Sequence, residues 1–371
     1  MSRLSRLSFK LFSGVLIGGA LSLSTAGAAT FTYGSGSPAA ANFHVNGLNP
    51  MMDAITEATD GRVSFRKLYG GTVVRLDTTL QGIRDGVIDS GYLVSTFHPA
   101  ELPQVSLIGE MSAFSSNPYA AAGAANEILY KHCPNCKAEL EKQGIDAVFS
   151  WATSPMVMAC TSNINNAADL EKKRVSVIGS GDSRWASALG MSPTRTAVSD
   201  LASSLQLGRS DCAIIPTNWI RSYGLGDIVK SVITIPQGIG AAALPLALST
   251  KASKAISAED HETIRKVVAD NLYNWIKHSY VDTDAEVRAQ TEDKIRYIDE
   301  DDEISARWQE NQTHETEALI ELAKRRGIDN PEQVVNDMIA VYQRWHTEHL
   351  PKFENNPEAF GEILYQEVFA Q

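Results

Sequence analysis

The sequence predicts an α/β protein built as two lobes, joined by crossing strands and completed by a helical C-terminal segment. Three observations support this prediction. Residues 169–219 contain a short β-branched strand, a glycine turn, two amphipathic helices and a second apolar strand. The succession of helix, glycine and strand also occurs at residues 76–94, which indicates a second unit of the same kind. From residue 257 onward apolar residues recur at helical spacing, so the chain ends in helices.

The first 28 residues have the pattern of a secretory signal peptide. Arg3, Arg6 and Lys10 precede an apolar run at residues 11–23, and Ala26-Gly27-Ala28 is a small-residue cleavage site. We therefore expect export and cleavage near Ala28. The apolar run is shorter than the roughly 20 residues that cross a bilayer, and no later segment is long and apolar enough to do so.

The first lobe begins with a β-α-β pattern. Residues 30–33 are a short strand, a helix carries Leu48, Met51 and Ile55 on one face, and an alternating strand starts at Val63. Such a unit predicts a parallel sheet with a right-handed crossover. A chain of 371 residues is long enough for two such domains, at roughly 100 to 200 residues each.

Polar and aromatic residues mark the first candidate site. Ser95, Thr96 and Phe97 follow the apolar strand at residues 87–94 directly. They stand at its carboxyl end, which is the edge where open α/β sheets bind ligands. We therefore expect these three side chains to face a ligand.

Two pairs of apolar runs predict the strands that cross between the lobes. One pair flanks Ser154-Pro155, and the other flanks the glycines at positions 238 and 240. The helical segment after residue 257 carries alternating charges from residue 284 onward, as a solvated helix face does. The predicted division is therefore as follows: residues 29–152 plus about 242–282 form lobe I, and residues 153–241 plus about 283–371 form lobe II.

Composition and motifs argue against several classes of function. The 33 basic and 44 acidic side chains become 30 and 44 once residues 1–28 are removed, a formal charge of −14 that does not favour nucleic acid. The sequence has no Gly-x-Ser-x-Gly elbow, no His-Glu-x-x-His and no phosphate loop, so we predict neither an enzyme nor a cofactor. His346 and His349 lack a carboxylate at matching spacing, so no metal site is predicted.

The chain has four cysteines: Cys133, Cys136, Cys160 and Cys212. In an exported protein they favour disulfides, and four cysteines allow three pairings between which the sequence does not choose. A small loop closed by Cys133 and Cys136 is one of the structural options. A zinc site there would need two further ligands.

The order of these features resembles the DctP-like solute receptors of tripartite ATP-independent periplasmic (TRAP) transporters. The matching positions are Leu80-Gln81 and Gly86 to Asp89 in the first lobe, and Asp169-Leu170, Val175, Gly179, Ser183 to Ala186, Ala188 to Gly190, Pro193 and Gly208 to Cys212 in the second. The resemblance implies a two-lobed periplasmic-binding-protein-like fold with crossing hinge strands and a helical C-terminal wrap. It further implies a periplasmic receptor that closes on a small organic acid, such as a dicarboxylate. Such a receptor delivers its solute to integral-membrane TRAP permease subunits.

The expected pocket departs from the family pattern at three positions. In this family the strand after the Asp-Leu pair carries an arginine that pairs with the solute carboxylate, and Ser176 stands at that position here. Two further pocket positions correspond to Met158 and Ile215. A bidentate arginine is the main physical source of selectivity for carboxylates, so its absence leaves the substrate class open.

Two alternatives remain for the solute. In the first, Arg195, Arg75 or Arg184 holds a carboxylate, aided by the backbone N–H groups of residues 179–182. In the second, the solute is neutral or more apolar, and the receptor serves a sensor instead of a permease. An exported enzyme is the remaining alternative. The other polar and aromatic residues expected in the pocket are Ser95, Thr96, Phe97, Trp151, Ser154, Ser176, Asn218 and Trp219.

Overall fold

The computed structural model describes residues 28–235 and 237–370, so all but the last residue of the predicted signal peptide lies outside the described part. The strands are β1 (Ala29–Gly34), β2 (Val63–Leu68), β3 (Ser90–Val94), β4 (Ile145–Ala147), β5 (Trp151–Cys160), β6 (Arg174–Val177), β7 (Ser192–Arg195), β8 (Cys212–Pro216), β9 (Ser231–Ile233), β10 (Ile239–Ser249) and β11 (Arg296–Ile298). The helices are α1 (Asn49–Ala58), α2 (Thr79–Arg84), α3 (Pro103–Ile108), α4 (Pro118–Glu127), α5 (Pro134–Lys142), α6 (Ser180–Ala188), α7 (Leu201–Gln206), α8 (Trp219–Ser222), α9 (Thr250–Ala255), α10 (Ala258–Ile276), α11 (Asp282–Thr291), α12 (Asp302–Arg325), α13 (Pro331–Arg344), α14 (Leu350–Phe353) and α15 (Pro357–Leu364).

The strands follow one continuous path of hydrogen-bonded neighbours, in the order β2-β1-β3-β10-β5-β8-β6-β7. In the first lobe β1 runs parallel to β2 and β3, and in the second β6 runs parallel to β7 and β8. The long strands β5 and β10 are antiparallel to each other and to their neighbours, and they carry the chain between the lobes. The predicted α/β class with crossing strands is therefore confirmed.

Lobe II has an apolar core on each face of its sheet. Val175 and Val177 of β6 pack on one face with Trp185 of α6. Leu201 of α7 and Ile215 of β8 pack on the other face. Because side chains alternate along a strand, a residue of β6 between the two valines faces the second core.

The last helices pack on lobe I, which differs from the predicted division. Residues from Leu319 onward belong to the core of lobe I, because α13 and α15 contact α4 and α10. The indole of Trp345 lies over Gly123 and donates a hydrogen bond to Glu127 at 2.6 Å. Part of the segment that was predicted for lobe II does belong to it, because residues 287–304 contribute buried side chains to the two cores of lobe II. The charge pattern correctly indicated a solvated face, but it did not indicate which lobe the opposite, apolar face covers.

The four cysteines form two disulfides, one between Cys133 and Cys136 and one between Cys160 and Cys212. The second bond joins β5 to β8 at positions that are directly opposite in the sheet. None of the helices within the described residues is long and apolar enough to span a bilayer.

Candidate functional site

The two lobes enclose a cleft at the crossing strands, and its interior is a cavity of about 120 Å³ that we call the inner chamber. Its walls come from the end of β3, from the crossing strands and from the loop that opens α6. The residues that distinguish it are seven aromatic side chains: Phe43, Tyr92, Phe97, Trp151, Trp219, Tyr223 and Tyr280. Carboxyl ends of parallel strands meet at this edge, as the sequence predicted for β3.

The aromatic wall is fixed by ring-to-ring packing. Trp151 stacks on Trp275 at 5.3 Å between centroids, and its ring also lies 4.9 Å from Tyr280 and 5.5 Å from Phe43. Phe43 in turn lies 4.9 Å from Tyr92. Such offset and tilted contacts fix the positions of these large side chains, so the protein itself holds this part of the wall in place.

Three phenols of the chamber stay neutral at physiological pH. Burial raises the pKa of Tyr92 and of Tyr280 well above the usual value. Burial also raises the pKa of Tyr223 to about 12, although Ser37 acts in the opposite direction. Each hydroxyl therefore keeps its proton and acts as a neutral hydrogen-bonding group.

The chamber also contains two carboxylates from opposite lobes. Oε2 of Glu110 accepts hydrogen bonds from the backbone N–H of Ser180 at 2.9 Å and from its hydroxyl at 2.5 Å, and Oε1 accepts one from Arg326 at 2.8 Å. Burial raises the pKa of Glu110, but the bonds from Ser180 and the charge of Arg326 outweigh burial and hold it below its usual value. Glu110 therefore remains ionised and joins lobe I to the start of α6.

Asp182 caps α6 from inside the chamber. Its Oδ2 accepts the backbone N–H of Gly179 at 2.9 Å and that of Ile178 at 3.3 Å. Burial raises the pKa of Asp182 in spite of these two bonds, because the charged form loses its water. Together with Glu110 it uses the N–H groups of Gly179 and Ser180, two of the four at residues 179–182 that we had expected to help hold a solute carboxylate.

Basic side chains occur only outside the chamber. No Lys, Arg or His is among the described residues that line it. A wider cavity of about 560 Å³ continues from it past Phe97 and Tyr223, and we call this the mouth. Arg75 and Arg195 line the mouth. Arg75 pairs with Asp77 at 3.2 Å, whereas Arg195 donates only to the carbonyl of Ile178 at 2.8 Å.

The family model named DctP, described as bacterial extracellular solute-binding protein, family 7, matches residues 35–321. The chain belongs to this family. Its fold is similar to that of solved TRAP periplasmic solute-binding proteins, which confirms the resemblance predicted from the sequence. No curated protein matches the chain.

Three solved structures of TRAP solute-binding proteins illustrate the similarity of this family 7 chain. One from Bordetella bronchiseptica, with bound (R)-mandelate and (S)-mandelate, is 20% identical, covers 85% of this chain and 99% of its own, and has a TM-score of 0.71. One from Rhodoferax ferrireducens T118, with copurified benzoate, is 17% identical over 86% and 98%, with a TM-score of 0.73. One from Haemophilus influenzae, with bound L-gulonate, is 16% identical over 84% and 99%, with a TM-score of 0.69.

Seven of the residues singled out from the sequence face the cleft of this family 7 protein. Five line the inner chamber, and Arg75 and Arg195 line the mouth. The five are Ser95, Thr96, Phe97, Trp151 and Trp219.

Ser154 and Asn218 do not line the chamber, contrary to expectation. The hydroxyl of Ser154 donates to Asp284, and Asn218 donates to the same carboxylate through its backbone N–H at 2.7 Å and its side-chain amide at 2.8 Å. Asp284 belongs to α11, so these two polar residues tie a helix to the crossing strand. Their hydrogen-bonding groups serve the hinge region instead of a solute.

Met158, Ser176 and Ile215 do not line the chamber either, because β5 leaves it after Met156 and enters the sheet of lobe II. Met158 and Ile215 are buried in the two apolar cores. The hydroxyl of Ser176 hydrogen-bonds with Thr196 at 2.9 Å and donates to Ser210 at 2.8 Å. The position of the family arginine is therefore part of a hydroxyl network inside lobe II.

Sequence reasoning missed Glu110, Asp182 and the three tyrosines of the chamber. A single acidic residue within the largely apolar segment at 102–114 was the available signal for Glu110. Asp182 stands at the third position of α6, and its side chain accepts the backbone N–H of the N-cap residue Gly179. The described residues contain no group of three or more His, Cys, Asp and Glu that would hold a metal ion.

Proposed function

We propose that this protein is the periplasmic solute receptor of a TRAP transporter, exported after cleavage near Ala28, and that it passes its solute to membrane permease subunits. We infer further that the solute is a small organic acid with an aromatic or apolar body. The observation that supports this inference is the different composition of the two parts of the cleft, the inner chamber and the mouth. Seven aromatic side chains line the inner chamber, and among the described residues that line these two cavities the arginines stand at the mouth.

The division of the cleft gives the solute an orientation. An apolar or aromatic body gains most by leaving water for the rings around Trp151 and Tyr92. A carboxylate would lose hydration in a chamber without a cation, so it points toward Arg195. Arg195 has no ion-pair partner among the described residues, and its guanidinium is free to receive two oxygens. Mandelate and benzoate, which are bound in two of the similar structures, likewise combine an aromatic ring with a carboxylate.

The test is calorimetric titration of the mature protein with benzoate, mandelate, L-gulonate and pyroglutamate. We expect benzoate or mandelate to bind more tightly than L-gulonate, whose hydroxyl groups find few partners on the aromatic wall. Binding of L-gulonate alone would overturn the assignment of an aromatic or apolar solute. Absence of binding for every acid would overturn the organic-acid assignment itself.

Arg195→Ala tests the orientation. A charge-assisted hydrogen bond contributes about 1.5–3 kcal/mol, reduced at this exposed site, so the affinity for benzoate should fall about tenfold. Arg209→Ala is the matched control, because Arg209 is an exposed arginine of the same lobe outside the cleft. Equal losses in the two variants would mean that general charge, and not a contact with Arg195, attracts the acid.

A further inference from the structure

The inner chamber has one carboxylate that forms no ion pair among the described residues. Around the start of α6 lie three acidic groups and three arginines, the third of which donates to a backbone carbonyl. Arg326 pairs with Glu110, and Arg184 pairs with Glu315. Asp182 is left without an ion pair among the described residues, and Arg184 acts on its charge at longer range.

One oxygen of Asp182 is available to a solute. Its Oδ2 accepts the two backbone N–H groups that open α6, whereas its Oδ1 accepts no hydrogen bond from a described residue. The side chain lines the inner chamber and is more than nine-tenths buried, with 8% of the residue exposed. Oδ1 is nevertheless not among the atoms that the protein encloses completely. The protein therefore leaves a strong acceptor oxygen accessible at the chamber wall.

The second carboxylate lies beside the first. A methyl group added at Gly179 would lie 3.5 Å from Oδ2 of Asp182 and 3.6 Å from Oε2 of Glu110, so the two carboxylates flank one point of the wall. Seven aromatic side chains contribute to the rest of the wall, and the faces of tryptophan and tyrosine rings attract cations. Acidic and aromatic groups together form a surface that suits a positively charged nitrogen.

We propose that the natural solute carries an ammonium group, which enters the inner chamber and donates a hydrogen bond to Oδ1 of Asp182. This inference rests on the proposed function, and it adds an ammonium group to the carboxylate that the proposed function assigns to the solute. The carboxylate points to Arg195 at the mouth and the ammonium points inward, so the solute is a zwitterion. Asp182 is then the residue that distinguishes zwitterions from plain organic acids.

Three compounds that share one ring and differ only in charge test the proposal by calorimetric titration. They are 4-(aminomethyl)benzoate, 4-methylbenzoate and 4-methylbenzylamine. We expect the zwitterion to bind at least tenfold more tightly than either singly charged compound. A second pair, 5-aminovalerate and valerate, makes the same comparison of zwitterion with anion on a flexible aliphatic chain, which can adjust to the length of the cleft.

Asp182→Asn removes the charge while its amide oxygen can still accept the N–H of Gly179. The affinity for the zwitterion should fall at least tenfold in this variant, and the affinity for 4-methylbenzoate should be unchanged or higher. Asp169→Asn is the matched control, because Asp169 also accepts a backbone N–H, that of Asn165 at 2.7 Å, but lies outside the cleft. It should change neither affinity.

The two proposals fail in distinguishable ways. If the anions bind as tightly as the zwitterions and Asp182→Asn changes nothing, the ammonium is refuted while the organic-acid receptor stands. If no compound binds, both are refuted. Should Asp182→Asn fail to fold, the comparison of the compounds on the wild-type protein still decides the matter.

Discussion

Asp284 provides the sharpest prediction outside the cleft. Burial raises the pKa of this carboxyl to about 6, and the hydrogen bonds from Ser154 and Asn218 only partly compensate. An ordinary aspartate titrates near 3.9 in the unfolded chain. The folded protein therefore binds the proton more tightly, and its free energy of unfolding falls as pH rises from about 4 to above 6.

The size of the effect follows from the two pKa values. A shift of about two units corresponds to about 3 kcal/mol over the whole range. Between pH 5 and pH 7.5 the contribution of Asp284 to the free energy of unfolding changes by about 1 kcal/mol, and the protein is less stable at the higher pH. The titratable groups nearest to Asp284, the phenols of Tyr280 and Tyr297, stay neutral across this range because burial raises the pKa of each.

Asp284→Asn isolates this contribution. The amide oxygen still accepts from Asn218, the amide N–H donates to Ser154, and no charge remains to be buried. We expect the stability of the variant, relative to wild type, to rise by about 1 kcal/mol between pH 5 and pH 7.5 in urea unfolding. Asp227→Asn, an exposed aspartate, controls for the loss of one negative charge. A pH dependence identical in Asp284→Asn and wild type would refute the reasoning.

Two further predictions concern stability. Replacing Cys160 and Cys212 together by alanine should lower the free energy of unfolding by about 4 kcal/mol in urea, because the disulfide closes a loop with a sequence separation of 52 residues; an unchanged midpoint would contradict this. Gly123→Ala should cost about 1–3 kcal/mol, because its new methyl group would lie 2.1 Å from the buried ring of Trp345. Gly226→Ala, with open space around its α-carbon, is the control for Gly123→Ala in a thermal melt.

The parts of the site that sequence predicted are those fixed by local rules. Ser95, Thr96 and Phe97 were placed in the cleft because they follow a strand, and the carboxyl ends of parallel strands share one edge. Trp151 and Trp219 were expected there as aromatic groups against which a solute could pack. The inference for the three residues after β3 needed only a strand and its direction.

The parts that sequence did not predict depend on contacts between distant segments. Glu110 reaches Ser180 across 70 residues, and Ser154 meets Asp284 across 130. Alternation along β5 shows which face Ser154 is on, but not which helix covers that face. Tyr280 enters the chamber from the segment after α10, whose apolar spacing is that of any packed helix.

Ser176, at the position where the sequence led us to expect the family arginine, differs from an arginine in packing as well as in charge. Ser176 is 3% exposed, and its hydroxyl belongs to a network with Thr196, Ser210 and Ser204. The void beside it measures only about 10 Å³, so an arginine side chain has neither room nor a carboxylate partner in this network. In a pocket otherwise like that of the family, Ser176→Arg would be expected to raise the affinity for carboxylates.

With this packing, we expect Ser176→Arg instead to destabilise the protein by about 3–5 kcal/mol, as a buried charge without a partner does. A thermal melt and a benzoate titration of the variant test this together. A stable variant that binds benzoate more tightly than wild type would show that the guanidinium does reach the chamber. The charges that select the solute would then not be those of Asp182 inside and Arg195 at the mouth.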